Sequence, residues 1–92
     1  MKEEEIISLK AMKKYAQNNN IIILKFIYES RSKEITGVAV RERKRYDGVM
    51  IYDFGRLHQI FGDECGYEQQ GCYSTTDEME VRKEAYKFFG IK

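Results

Sequence analysis

The chain has no proline and no tryptophan, and it holds a single histidine and two cysteines in 92 residues. Without proline, glycine, asparagine and aspartate must make the turns. One His and two Cys supply at most three soft ligands, whereas structural zinc sites use four, in closely spaced pairs. His58, Cys65 and Cys72 would need Asp63 or Glu64 to complete a set, so no metal site is assigned. No apolar run reaches the roughly 20 residues of a membrane helix. Met1-Lys2-Glu3-Glu4-Glu5 lacks the basic start and apolar core of a signal peptide. Cys65 and Cys72 are therefore expected as reduced thiols in the cytoplasm, with no membrane partner. The seven glycines form no phosphate-cradling pattern, and no cofactor is implied.

Charge is nearly balanced, at +1 overall, which excludes attraction of the whole molecule to nucleic acid. The distribution is uneven. Residues 1–46 carry eleven Lys/Arg against six Asp/Glu, and residues 47–92 carry five against nine. A basic side and an acidic side follow. Hydrophobic content of 42% with 34% charged residues indicates a globular chain, and the length suits a single domain over 1–92. A chain of this size buries roughly 60–65% of its unfolded surface, enough for one modest core.

Ile21 to Phe54 reads as three strands joined by two tight turns. Tyr46-Asp47-Gly48-Val49 sets Asp-Gly between two β-rich runs, the signature of a two-residue type I′ turn. That turn places Arg45 opposite Met50, Arg43 opposite Tyr52 and Arg41 opposite Phe54. Side chains alternate across a strand, so Arg41, Arg43 and Arg45 share a face with Met50, Tyr52 and Phe54. In the first turn, a three-residue loop at Arg31-Ser32-Lys33 sets Phe26 opposite Val38 and Leu24 opposite Val40. An even-length loop would set Phe26 opposite Gly37 and Lys25 opposite Val38. The hydrophobic pattern selects the former. The expected core face is then Ile22, Leu24, Phe26, Tyr28, Thr36, Val38, Val40, Tyr46, Val49 and Ile51, with Gly37 and Ala39 on the reverse.

Helices are expected at both ends. The first spans about Glu3 to Gln17, with Ile7, Leu9, Met12, Tyr15 and Ala16 on one side and Asn18-Asn19-Asn20 as its stop. The second starts near Thr75 or Thr76, where Thr75 and Glu78 match a capping box, and ends at Gly90. Val81, Ala85, Phe88 and Phe89 form its stripe. Residues 57–61 fit either a short helix or a fourth strand, and Gly62, Gly66 and Gly71 mark a turn-rich loop. The fold class is thus α+β: an antiparallel three-stranded meander, with a candidate fourth strand in a small curled sheet, flanked by N- and C-terminal helices. The first strand is long and apolar at a sheet edge, which makes it a candidate homodimer contact.

Function is read from surfaces, because no catalytic set stands out. Arg41, Arg43, Lys44 and Arg45 with Tyr52 and Phe54 combine guanidinium groups and flat rings on rigid strands. This combination suits protein hot spots, and phosphate with base stacking in single-stranded nucleic acid. A second, acidic surface comprises Asp63, Glu64, Glu68, Asp77, Glu78 and Glu80. Spaced carboxylates of this kind can dock on a basic groove. The expectation is a non-enzymatic protein-binding module, an accessory or inhibitory protein of the kind phages and mobile elements encode, acting on a larger nucleic-acid-processing complex. The alternative is a direct single-stranded nucleic-acid binder. A third reading is a Cys/His-dependent enzyme in which His58 activates Cys72 and Asp53 or Glu64 orients the imidazole.

Overall fold

A computed structural model describes residues 3–62, 64–70 and 75–91, with side chains from Ile7 onward. The order is helix α1 (Glu3–Asn18), strands β1 (Ile21–Glu29), β2 (Glu34–Lys44), β3 (Met50–Phe61) and β4 (Glu64–Gln69), and helix α2 (Glu78–Phe89). The four strands form an open antiparallel sheet in sequence order, so β1 and β4 are its edges. The α+β class and the flanking helices match the sequence reading. Two assignments change. Leu57 to Phe61 continues β3, and the true fourth strand lies in the segment read as a turn-rich loop. It pairs Gly55 with Gln69, Leu57 with Tyr67 and Gln59 with Cys65, so it does not cover the β1 edge.

The sheet has two buried faces rather than one. On the first, Met12 and Ala16 of α1 pack on Ile21, Ala39 and Leu57, with Ile23, Phe26, Ile35 and Tyr67 around them. On the second, Val81 and Ala85 of α2 pack on Val38, Val40 and Phe54, with Leu24, Ile27 and Tyr52 beside them. An unbroken β1 could not serve both, because Ile21, Ile23 and Phe26 are not all of one parity. A bulge supplies the change. Ile23 pairs with Ala39 and Lys25 with Val38, so Leu24 is the extra residue and the register shifts there. Phe26 then opposes Gly37, and the connection 30–33 is even-length, with Lys33 in the left-handed region at φ 57°. The three-residue loop is corrected to this alternative. A Cβ on Gly37 would lie 3.5 Å from the Phe26 ring and 3.3 Å from Leu57 Cβ, so the small residue admits the ring.

Several residues expected in the core lie outside it. Tyr28, Tyr46 and Val49 are exposed, as is Ile7 on α1. The rest of the expected α1 stripe packs inward, with Met12 and Ala16 buried and Leu9 and Tyr15 against them, and Ser8 and Ala11 are buried beside it. Its stop is as expected: Asn20 sits at φ 56°, and Asn19 donates to the Tyr15 carbonyl at 2.8 Å. In α2 the cap is Asp77, whose Oδ1 accepts from the Met79 and Glu80 amides at 3.1 and 3.4 Å. Thr75 cannot cap it, because its backbone is paired with Tyr52 at the flank of β3. Gly90 ends the helix at φ 67°, as expected.

Candidate functional site

The second hairpin does not form the expected two-residue turn. Arg45 N–H donates to the Val49 carbonyl at 2.9 Å, and Gly48 N–H to the Arg45 carbonyl at 2.8 Å, with Gly48 at φ 87°. The loop is therefore the three residues Tyr46-Asp47-Gly48, the form in which glycine takes the left-handed position. Asp47 decides this locally. Its Oδ1 accepts the Val49 amide at 3.2 Å, and its carboxylate receives the Arg45 fork at 2.7 and 3.0 Å. These two bonds, the guanidinium first, hold its carboxyl below the ordinary range.

One residue of slip re-sorts every side chain. Arg41 pairs with Asp53, Glu42 with Tyr52, Arg43 with Ile51, and Val40 with Phe54. The proposed Arg–aromatic face is thereby corrected. Arg41 and Arg43 stand on the α1 side. Tyr52 and Phe54 stand on the α2 side, where Phe54 is buried against Phe88 and Phe89 at ring distances of 5.5 and 6.3 Å. Lys44 is exposed and lies opposite Met50.

In place of the rings, the two arginines meet a carboxylate. Asp53 is 0% exposed. Its Oδ2 accepts from Arg41 Nη2 at 3.0 Å and is ion-paired with Arg43, whose Nε lies 2.8 Å away, and its Oδ1 receives the Tyr67 hydroxyl at 2.6 Å. Arg41 Nη2 also lies 3.4 Å from Gln69 Oε1, and its guanidinium stacks 4.7 Å above the Tyr67 ring. A buried charge needs this density of partners. Burial of Tyr67, and then its bond to Asp53, push its hydroxyl well above the usual phenol range, and the two guanidinium groups oppose this only in part. Asp53, Tyr67 and Gln69 were not read from the sequence as members of this site.

The arginines belong to a projecting arm. The ladder between β1 and β2 begins at the Ile21–Arg41 pair, and β4 reaches only Gly55. Beyond the Tyr52–Thr75 bridge, Arg43 to Ile51 pair, among the described residues, only with one another. Three cross-strand pairs and a turn make about 10 Å of ribbon. Residues 43–50 are all exposed, and Tyr46 at the tip is 100% exposed.

The remaining candidates disperse. His58 pairs with Gly66 on the α2 side, whereas Cys65 packs into the α1-side core, and Asp53 also faces α1. Asp53 therefore does not orient His58, and Cys72 lies outside the described residues. No cluster of metal-binding side chains occurs among the described residues. Of the acidic surface, Glu64 and Glu68 lie on β4, Asp77 caps α2, and Glu78 sits 3.8 Å from Arg82. Glu80 is in the first turn of α2, and Asp63 lies outside the described residues. No helix among the described residues is long and apolar enough to cross a membrane. Comparison with protein-family models, curated proteins and solved structures gives no match.

Proposed function

We propose that this chain is a non-enzymatic protein-binding module whose contact element is the β2–β3 arm. The observation that carries the reading is the arm itself: a basic ribbon, anchored at its base by a buried carboxylate, with a fully exposed tyrosine at its tip. Tyr and Arg are the side chains over-represented where partners bind tightly. Val49 and Met50 add apolar surface beside them. An accessory or inhibitory protein needs no more than this, since it acts by occupying a surface.

Nucleic acid is the second reading, and two features weigh against it. Tyr52 and Phe54 are turned to the α2 face, which leaves Tyr46 as the arm's one stacking ring. Asp53 and Asp47 also offset part of the guanidinium charge. A photo-crosslinking residue at Tyr46, with Lys83 as a control on α2, tests the choice. The expected result is a discrete, nuclease-resistant protein adduct from position 46 alone. Equal yields at both positions, or adducts that nuclease removes, would overturn it.

A further inference from the structure

We propose that the Arg41–Arg43 pair is a receptor for a single carboxylate of a protein partner, an acidic side chain bound on the solvent side of Asp53. The proposal rests on the arm being a protein-contact element and names the chemistry of what it contacts. Its starting point is a mismatch of charge. Two guanidinium groups converge on one oxygen of one buried carboxylate. The cluster therefore keeps one net positive charge, held at a fixed place at the base of the arm.

The donors are also unevenly used. Each guanidinium offers five N–H groups. Arg41 gives Nη2 to Asp53 and Gln69, and Arg43 faces Asp53 as an ion pair, with its Nε 2.8 Å from Oδ2. Arg41 Nε is buried and has no hydrogen-bond partner among the described residues, so it is closed to a ligand, which must use the other N–H groups of the two arginines. The pair remains reachable: the Arg41 side chain is 28% exposed and that of Arg43 is 42% exposed. The contact with the Tyr67 ring and the bond to Asp53 hold the Arg41 guanidinium in place. Planar, oriented guanidinium groups match the two oxygens of a carboxylate. The size of the surplus selects the ligand. One positive charge balances one carboxylate, whereas inorganic phosphate and phosphomonoesters at neutral pH carry more negative charge than this cluster offsets. A nucleic-acid phosphodiester also carries one, and is set apart by Tyr52 and Phe54 lying on the opposite face, away from the pair.

The test follows the arginine Nε–Hε resonances of the 15N-labelled full chain by NMR. Three titrants are compared at matched ionic strength: the blocked peptide Ac-Gly-Gly-Glu-Gly-Gly-NH2, inorganic phosphate and sodium chloride. The peptide should shift the Arg41 and Arg43 signals saturably. Arg43→Gln should weaken it at least fivefold, with Arg43→Lys in between. Because Arg43→Gln also removes an ion pair with Asp53, Gln69→Glu provides a variant that deletes no contact. It sets a new carboxylate beside Arg41, cancels the surplus charge, and should weaken the peptide at least fivefold with the core amide spectrum intact. Shifts no different from those of chloride, no effect of Gln69→Glu, or phosphate saturating at a tenfold lower concentration than the peptide would each overturn the proposal. If Tyr46 cross-links a protein but the peptide does not bind, only this inference falls. If the peptide binds but Tyr46 captures nucleic acid, the protein-contact reading falls and the protein partner named here falls with it, leaving only the affinity of the pair for a carboxylate.

Discussion

Replacing Asp53 by asparagine keeps the shape of the side chain and removes its charge. The new side chain would still accept one hydrogen bond through its carbonyl oxygen. Its amide, however, would face either the two guanidinium groups, which only donate, or the Tyr67 hydroxyl, which must turn its own proton away from position 53 to accept. Breaking a fully buried ion pair from one side costs about 3–5 kcal/mol. Here the carboxylate is fully buried while the arginines keep 28% and 42% exposure, so water recovers part of that loss. The expected cost is about 2–4 kcal/mol, out of a total stability of about 5–10 kcal/mol for a chain this long. Urea unfolding followed by circular dichroism measures it as a fall in midpoint at unchanged slope. A double-mutant cycle isolates the cause. Arg43→Gln should cost at least about 1 kcal/mol less in the Asp53→Asn background than in the parent. A loss under about 0.5 kcal/mol for Asp53→Asn, or a cycle that adds without coupling, would refute the view that this carboxylate holds the base of the arm.

A Cβ at Gly55 would overlap the Glu68 carbonyl oxygen and lie 2.8 Å from its carbonyl carbon, and backbone cannot step aside. Gly55→Ala should therefore part β3 from β4 and lower stability by at least about 3 kcal/mol, read from thermal melts. Gly62→Ala, at φ 59° with nothing within 4 Å, should cost only about 1–2 kcal/mol. Tyr67 has a folded-state pKa raised above its ordinary value of 10.0. Its contribution to stability is thus complete below pH 10 and declines as pH rises beyond it, because the unfolded chain then releases a proton that the folded chain retains. Phenolate absorbance of the folded chain should show a late step above the ordinary phenol range that Tyr67→Phe abolishes. If Tyr67→Phe removes no such step, the Tyr67 hydroxyl is not held as described. Lys25 is the sole charge between Ile21 and Tyr28 on the β1 edge, beside the bulge. Lys25→Ile should promote self-association that light scattering detects, since both a charge and a bulge blunt such an edge.

Much of the architecture was legible because local signals agreed. The asparagine run ends α1, Gly90 ends α2, and the β-branched runs from Ile21 to Phe54 form strands. What failed was register. Asp-Gly is compatible with both a two-residue and a three-residue loop, and a choice made on that dipeptide alone ignored the pairs it created. In the expected register Glu42 lies opposite Asp53, two like charges facing each other across strands. One step away, Asp53 meets Arg41. An acid inside the apolar run Met50-Ile51-Tyr52-Asp53-Phe54 was thus a signal for the correct pairing. The bulge at Leu24 had no comparable signal. It follows from the sheet having two covered faces, which depends on α1 and α2 packing on opposite sides. The fourth strand was hidden by composition, since Glu64 to Gln69 has little β-propensity and gains its order from pairing with β3.

The chemistry at position 53 bears on whether the cluster serves stability or contact. That position faces α1, on the side of the sheet where Ala39, Leu57 and Met12 form a dry core. A buried ion cluster replaced whole by packed apolar side chains is often no less stable, because the desolvation cost disappears with the charges. The triple variant Asp53→Leu, Arg41→Met, Arg43→Gln puts this to the test. It removes the carboxylate and both cations together, so no charge is stranded, and the exposed position 43 stays polar. It is made in a Tyr67→Phe parent, so that the hydroxyl bonded to Asp53 is not left without its acceptor. Its unfolding free energy should lie within about 1 kcal/mol of the parent, while the single change Asp53→Asn costs about 2 kcal/mol or more. Binding of the acidic peptide should be lost entirely, because no guanidinium remains at the base of the arm. If the triple variant is instead destabilised by more than about 2 kcal/mol, the cluster is a structural fastening for the arm, and the surplus charge is incidental to it. If stability is kept and only binding is lost, the fold has no need of these charges, and their value lies in what they present to a partner.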